Sequence, residues 1–388
     1  MAGFRLPMIY LDHAATTPVD PLVAEAMQPY QTERFGNPSS IHGVGREARA
    51  AVDGARDTIA AAISADYSEI YFTSSGTEAD NLAIAGVMLA AAANRRHLIV
   101  SAIEHHAVLH TARNLRTMGF EVTTLPVDSE GVVEPDDLRE AIRDDTALVS
   151  IIHGSNEIGT IQDIHRLAIV AHERGALFHT DAVQSVGSLT IQVRGLDCDL
   201  LSMSAHKLYG PKGVGALFVR TGVKVSPILF GGTQEREKRA GTENTAGIVG
   251  FGIAVELLES SDQPDRSDQS NRQSKLRDRF IDRLIDTIPG LRLNGPRRNR
   301  LPNNVNVSIE GVDGAAALMS LDRAGIAASS GSACSSGSIE PSHVLQAIGL
   351  RPDLAAGGIR FTLGRSTTED ELETTTLTLA EIVKRLRN

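Results

Sequence analysis

Lys207, Asp181 and Cys334 are the side chains with which this sequence could carry out covalent chemistry, and the turn Ser74-Ser75-Gly76-Thr77-Glu78 could hold a charged group beside them. Lys207 follows Ser202-Met203-Ser204-Ala205-His206 at the end of an apolar run. An amine there is either a solvated charge or one held for Schiff-base work. Asp181 closes another apolar run, in Phe178-His179-Thr180-Asp181-Ala182-Val183-Gln184. Ser75 and Glu78 have capping-box spacing, and a small-residue turn opening a helix offers free N–H groups to an anion, typically a phosphate. The spacing is not that of a P-loop lysine motif, which argues against a nucleoside triphosphate. Cys334 stands in Ser329–Gly337, "SSGSACSSG", among neighbours too small to pack around a thiol.

Taken together, these residues match the needs of one cofactor. Pyridoxal phosphate requires a lysine for its aldehyde, a carboxylate for its ring nitrogen and a cradle for its phosphate. Lys207, Asp181 and the Ser75–Thr77 turn supply these, and Ser204 and His206 beside the lysine could add phosphate donors.

The elements that must position them alternate. Strands are expected at Glu69–Thr73, His97–Ile103, Glu121–Val127, Ala147–His153, Ala176–Asp181, Leu200–Ala205 and Val214–Arg220. Helices are expected at Asp80–Asn94, His105–Met118, Pro135–Arg143 and Asp163–Arg174. Such alternation predicts an α/β fold with a mostly parallel sheet covered on both faces, with ligands at the carboxyl ends of the strands. The polar stretch Glu259–Lys275 reads as a surface connection, helical in its second half. Beyond it, helices at Leu276–Ile288, Asp313–Ala324, Ser342–Ile348 and Glu369–Arg387 and strands at Asn304–Ile309 and Gly358–Leu363 make a smaller α+β unit. The expected division is a large domain over residues 15–258 and a small one over 1–14 and 259–388, the latter carrying the Cys334 loop.

Composition narrows the function classes. With 388 residues, 41% hydrophobic and 22% charged, two domains are expected of a globular chain. A formal charge of −10 and the absence of Trp argue against direct nucleic-acid or anionic-membrane binding. No apolar run is long enough to span a bilayer, and the opening residues lack a secretory apolar core. Two cysteines do not make a disulfide framework, which fits a reducing, cytoplasmic location.

The blocks "YLDHAATTP", "GNPSS", "FTSSGTEADNLAI", "IEHHAV", "NEIGTIQDI", "HTDAVQSVG", "SAHKLYGPKGVGALFV", "GGTQEREKRAGTEN", "LPNNVNVS", "SSGSACSSG" and "IRFTLGRSTTEDE" run from Tyr10 to Glu371. In that order they resemble the cysteine desulfurases of the NifS/IscS type, within the class-V aminotransferases. The resemblance implies the fold type I architecture of pyridoxal-phosphate enzymes, a homodimer, L-cysteine as substrate and a sulfur-acceptor protein, either a scaffold for iron–sulfur assembly or a sulfur carrier. It implies Lys207 as the cofactor lysine, Asp181 on the ring nitrogen, Gln184 on the ring 3-oxygen and His105 stacked on the ring and assisting proton transfer. Phosphate contacts fall on Gly76, Thr77, Ser204 and His206, with Thr242 donated by the neighbouring subunit. Arg360 and Asn156 are implied for the substrate carboxylate, a role that suits a forked guanidinium and an amide donor. Cys334 is implied as the nucleophile that takes the sulfur, on a Gly/Ser-rich tether able to swing between pocket and acceptor. One departure is Ser155 before Asn156, where the family commonly has asparagine.

Rival readings are a selenocysteine lyase, another class-V lyase or transaminase, and a non-catalytic sulfur-carrier or assembly subunit. A transaminase has no use for Cys334, and a carrier has none for Lys207 and Asp181 together. Four further features are expected to be structural. His106 and His110 have helical i,i+4 spacing without a third metal ligand, and His106 reads as a helix-surface residue. Cys198 reads as a buried, inert thiol. Arg297, Arg298 and Arg300 read as a solvated loop. Gly210, Gly213 and Gly215 precede a strand and do not spell a dinucleotide fingerprint.

Overall fold

The computed structural model describes residues 8–259, 266–330 and 341–388. Strand β1 (Ile9–Tyr10) lies apart from the main sheet. That sheet is built from β2 (Ile70–Thr73), β3 (His97–Ser101), β4 (Glu121–Leu125), β5 (Thr146–Ser150), β6 (Leu177–Asp181), β7 (Leu200–Ser204) and β8 (Gly215–Val219). Its order is β2-β8-β7-β6-β5-β3-β4. All pairings are parallel except the two made by β8. Strands β3, β5, β7 and β8 are buried along their whole length, as continuous apolar runs under helices on both faces require.

Because β2, β6 and β7 run the same way, their last residues Thr73, Asp181 and Ser204 share one edge of the sheet. Antiparallel β8 begins at that edge, with Gly215 opposite both Thr73 and Ser204. A Cβ on Gly215 would lie 2.6 Å from the Ser75 carbonyl carbon and 2.8 Å from the Met203 oxygen. Glycine is therefore what lets the Ser75 turn close over the strand.

A second, antiparallel sheet contains β9 (Leu291–Leu293), β10 (Asn304–Ile309) and β12 (Gly358–Thr362), in the order β12-β10-β9. Strand β11 (Ile326–Ala327) pairs in parallel with β1. Leu11 thereby joins the core made by Phe280, Val307, Leu321, Phe361 and Leu379, distinct from the core of the large sheet. The N-terminal stretch then crosses to the large sheet, where Thr17 Oγ1 donates to the His206 carbonyl at 3.0 Å.

Several elements lie outside the sequence expectation. Helix Thr245–Glu259 buries Ile248, Phe251, Ala254 and Val255. It is apolar nearly all round, so it carries no 3.6-residue contrast to detect. Helix Gly43–Ala62 packs through Ala48, Val52, Ala55 and Ile59, a stripe whose alanines give a weak signal. Helix Arg266–Thr287, by contrast, joins the expected helix at Leu276 to the second half of the polar segment, whose helical reading it bears out. Its Arg272 donates to the Arg365 carbonyl at 3.1 Å and the Thr367 carbonyl at 2.8 Å, a tertiary role that polar composition does not reveal.

Candidate functional site

At the shared strand edge lies a cavity of about 340 Å³. Gly76, Thr77, His105, Asn156, Asp181, Gln184, Ser204, His206, Lys207 and Arg360 all line it. Sequence positions spread over most of the chain meet there because β2, β6 and β7 end together and β12 approaches from the second sheet. Thr242 does not line it; it lies exposed by a smaller depression with Thr73, Ser74 and Gly213. Cys334 lies outside the described residues. The residues bordering its segment are fixed at the cavity. Ser329 exchanges both backbone hydrogen bonds with Arg360, at 3.1 and 2.7 Å, and the Ser342 hydroxyl donates to Glu157.

Lys207 Nζ donates to the carbonyls of Ala14 and, at 2.7 Å, Ala15. The N-terminal crossing segment thus orients the amine. Gln184 donates to the same Ala14 carbonyl at 2.9 Å. The Asp181 carboxylate accepts the Val183 N–H at 2.9 Å. Burial raises its proton affinity, while that N–H and the Lys207 charge oppose the rise.

His105 caps helix His106–Thr117, its Nδ1 accepting the Ala107 N–H at 3.1 Å. That bond places the ring proton on Nε2. Burial, reinforced by the Lys207 charge, lowers the His105 pKa to about 4, so the imidazole is neutral at physiological pH.

Helix Gly76–Ala90 begins at the cavity with Ser75 as its cap, Oγ accepting the Glu78 N–H at 3.1 Å. The cap leaves the Gly76 and Thr77 amides for an anion, and the first-turn carboxylate of Glu78 is tied to Arg239 Nε at 2.7 Å. A Cβ on Gly76 would meet Val183 Cγ2 at 2.7 Å, closing the slot between this turn and Asp181. Ser204 Oγ is buried and has no hydrogen-bond partner among the described residues, an orphaned donor facing the same cradle.

Arg360 is 2% exposed. It donates through Nη1 to the Asn156 carbonyl and through Nη2 to Asp12 Oδ1, each at 2.9 Å, and its Nε is unpartnered among the described residues. Amide cradle, acid-backed slot, amine and guanidinium together fit pyridoxal phosphate carrying an amino acid.

Sequence reasoning missed Asp12, Asp80, Glu104, Glu157 and His343. Asp80, Glu157 and His343 line the cavity, Asp12 meets Arg360, and Glu104 accepts the Ile152 N–H at 2.8 Å. Burial pushes the Glu104 carboxyl up to about 8. Two expectations are corrected. His106 is half-buried and lines the cavity rather than lying on a helix surface, its ring 4.8 Å from that of His343 and 5.0 Å from that of His110. Arg300 is not solvated; it is buried and donates to the Pro296 carbonyl at 2.7 Å and to the Asn294 carbonyl, and Arg297 pairs with Asp282 at 2.6 Å. Cys198 is fully buried, and desolvation pushes its thiol up to about 12, which makes it inert.

The class-V aminotransferase family model matches residues 9–374. A cysteine desulfurase IscS of Dictyoglomus turgidum is 53% identical over 379 residues, covering 98% of this chain and 95% of its own. Among solved structures, a NifS-like protein superposes with a TM-score of 0.90 at 36% identity, over 97% of this chain and 100% of the other. SspA in complex with cysteine superposes with a TM-score of 0.81 at 38% identity, over 93% and 100%. With strand ends, lysine, acid and anion cradle meeting as that family's pyridoxal phosphate requires, the chain belongs to the class-V aminotransferases.

Proposed function

We propose that this chain is a pyridoxal-phosphate-dependent cysteine desulfurase, taking the sulfur of L-cysteine onto Cys334 and leaving L-alanine. The observation that carries this reading is the convergence of Lys207, Asp181 and Arg360 on one cavity, with both borders of the Cys334 segment held at its wall. Relatives of about half identity named cysteine desulfurase, and the structural neighbour SspA in complex with cysteine, support it.

Lys207 would hold the cofactor through its amine, Asp181 its ring nitrogen and Gln184 its 3-oxygen. Gly76, Thr77, Ser204 and His206 would hold its phosphate, with Thr242 supplied by a second subunit of a homodimer. When bound, the cofactor acts as an electron sink for the substrate's Cα. Arg360 and the Asn156 amide bind the substrate carboxylate, which must displace or share the guanidinium with Asp12. Lys207 Nζ takes the Cα proton and returns one, while neutral His105 presents its Nε2–H beside it. The Cys334 thiolate attacks the substrate sulfur; the S–S bond forms as Cβ–S breaks, and the carbon fragment keeps the electron pair and is protonated to alanine. L-cysteine and one thiol thus give L-alanine and one persulfide, with no external oxidant. A protein acceptor, scaffold or carrier, then receives the sulfur. The large sheet with its helices and the second sheet with β1 and β11 would be the two domains of the enzyme. No described helix is long and apolar enough to cross a membrane.

Incubating the holoenzyme with L-cysteine should yield alanine and protein-bound persulfide. Cys334→Ala should keep the cofactor's absorbance and release no sulfide with a thiol reductant, whereas Lys207→Ala should lose the bound-cofactor band. Normal sulfide release by Cys334→Ala would overturn the proposal.

A further inference from the structure

Behind Asp181 lies a second carboxyl that the reaction above does not use. Asp80, on helix Gly76–Ala90, is 1% exposed and lines the cavity. Oxygen atoms of Asp80 and Asp181 and a ring nitrogen of His105 lie within 4.8 Å of one another. Two carboxylates this close, both out of water, do not ionise together, so one of them holds a proton.

The surroundings decide which. Asp181 has the support an anion needs, a backbone N–H at 2.9 Å and the Lys207 charge nearby. Asp80 has far less. Its Oδ1 accepts no hydrogen bond among the described residues; the Ser202 hydroxyl gives the carboxyl its hydrogen-bond support, and His179 Nε2 stands 3.7 Å away. His179 is itself held between Ser150 Oγ at 2.8 Å and Ser202 Oγ at 3.0 Å, and burial drives its pKa down to about 3. It is therefore neutral and supplies no counter-charge. The other titratable groups facing this point are the Glu104 carboxyl, whose charge would also oppose ionisation of Asp80, and neutral His105.

We propose that Asp80 is a positioning residue that stands behind Asp181 as a neutral carboxylic acid and confines the pair's single negative charge to Asp181, where the ring nitrogen is held. Burial first, and then the Asp181 charge, raise the proton affinity of Asp80 by more than the Ser202 hydroxyl lowers it, in keeping with this. Asp181 can then present a full charge to the pyridinium without sharing it across a second acid. The consequence for the cofactor rests on the cofactor reading; the protonation state of Asp80 does not.

The sign of the pH dependence follows. A carboxyl whose native pKa lies above its ordinary 3.8 binds a proton in the folded chain that the unfolded chain has released. Its burial then costs stability increasingly as pH rises from that ordinary value through the native one.

Asp80→Asn, neutral at every pH, should therefore raise the melting temperature of the cofactor-free protein progressively as pH rises above the ordinary carboxyl value of 3.8. It should leave the dissociation constant for pyridoxal phosphate within roughly twofold of the parent, while Asp80→Leu, which removes the polar group, weakens it about tenfold or more. A melting difference independent of pH, or a tenfold loss of cofactor affinity in Asp80→Asn, would show that Asp80 carries charge and overturn the proposal. Should the Asn variant not fold, Asp80→Ser carries the same pH comparison. A parent protein that takes up no pyridoxal phosphate would remove the cofactor reading, and the pH profile of cofactor-free protein would still decide the state of Asp80.

Discussion

Arg360 sits in a setting that separates substrate recognition from cofactor retention. Its guanidinium is buried between the Asn156 carbonyl and Asp12, and it enters from the second sheet, whereas the anion cradle opens a helix of the large one. A charge-assisted bond of this kind contributes about 1.5–3 kcal/mol, so Arg360→Ala should raise the KM for cysteine about tenfold or more. The bound-cofactor absorbance should be unchanged. Arg360→Lys should recover part of the loss but not all, because an ammonium does not fork onto a carboxylate. Steady-state kinetics alongside the absorbance spectrum check this, and unchanged KM in Arg360→Ala would contradict the assignment. The two cysteines show why residue type alone is insufficient: Cys198 is fully buried and cannot reach its thiolate near neutrality, which leaves Cys334 for the proposed desulfurase role.

One ion pair joins elements that must stay together for the cradle to form. Arg56, in helix Gly43–Ala62, makes two 2.7 Å bonds to the Glu235 carboxylate and a third to the Ile70 carbonyl. Glu235 also accepts the Phe72 N–H at 2.9 Å, on the strand that leads into the Ser75 turn. Glu235, Arg236 and Glu237 all have left-handed backbone, with φ of 45°, 53° and 65°, unfavourable for side chains of this size. The buried pair holds that turn, and the turn leads on to Thr242. Glu235→Ala should cost about 3–5 kcal/mol, because it strands a buried guanidinium, and Arg56→Met with Glu235→Leu should cost less than Glu235→Ala alone. Urea unfolding measures both, and a loss below about 1 kcal/mol for Glu235→Ala would mean the pair does not hold the turn.

At the scale of the molecule, the cavity draws on both sheets and on the N-terminal segment between them. The two halves are further joined where the Tyr209 hydroxyl accepts the Arg365 N–H at 2.8 Å and Arg365 pairs with Asp20. Next to the cavity, and sharing Thr77, His105 and His106 with it, lies a surface depression lined by Leu89, Met118, Ile228 and Phe230. Phe230 is 82% exposed there, an apolar surface of the kind that marks an interface. The proposed homodimer would cover it and bring the second subunit's Thr242 to the phosphate. Phe230→Asp should therefore shift the protein toward monomer in sedimentation velocity and weaken pyridoxal phosphate binding at the same time. A fully dimeric Phe230→Asp protein with unchanged cofactor affinity would exclude this face.

The chemistry was legible in the sequence wherever a strand ends in a functional residue, as at Asp181 and Ser204, since apolar runs locate strands and parallel strands share a carboxyl edge. The cap at Ser75 was legible too, because it depends on residues three apart. The sequence by itself therefore determined the cofactor class, and it singled out the lysine, the acid and the turn that the fold brings to one cavity. Only the tertiary structure decided that Asp80 stands behind Asp181, that Asp12 occupies Arg360, that His343 meets His106 and that Arg300 is buried. Those pairings join residues far apart in the chain, with no periodicity to announce them. Their protonation states are set by how much water the surrounding packing removes, which exists only once the chain has folded.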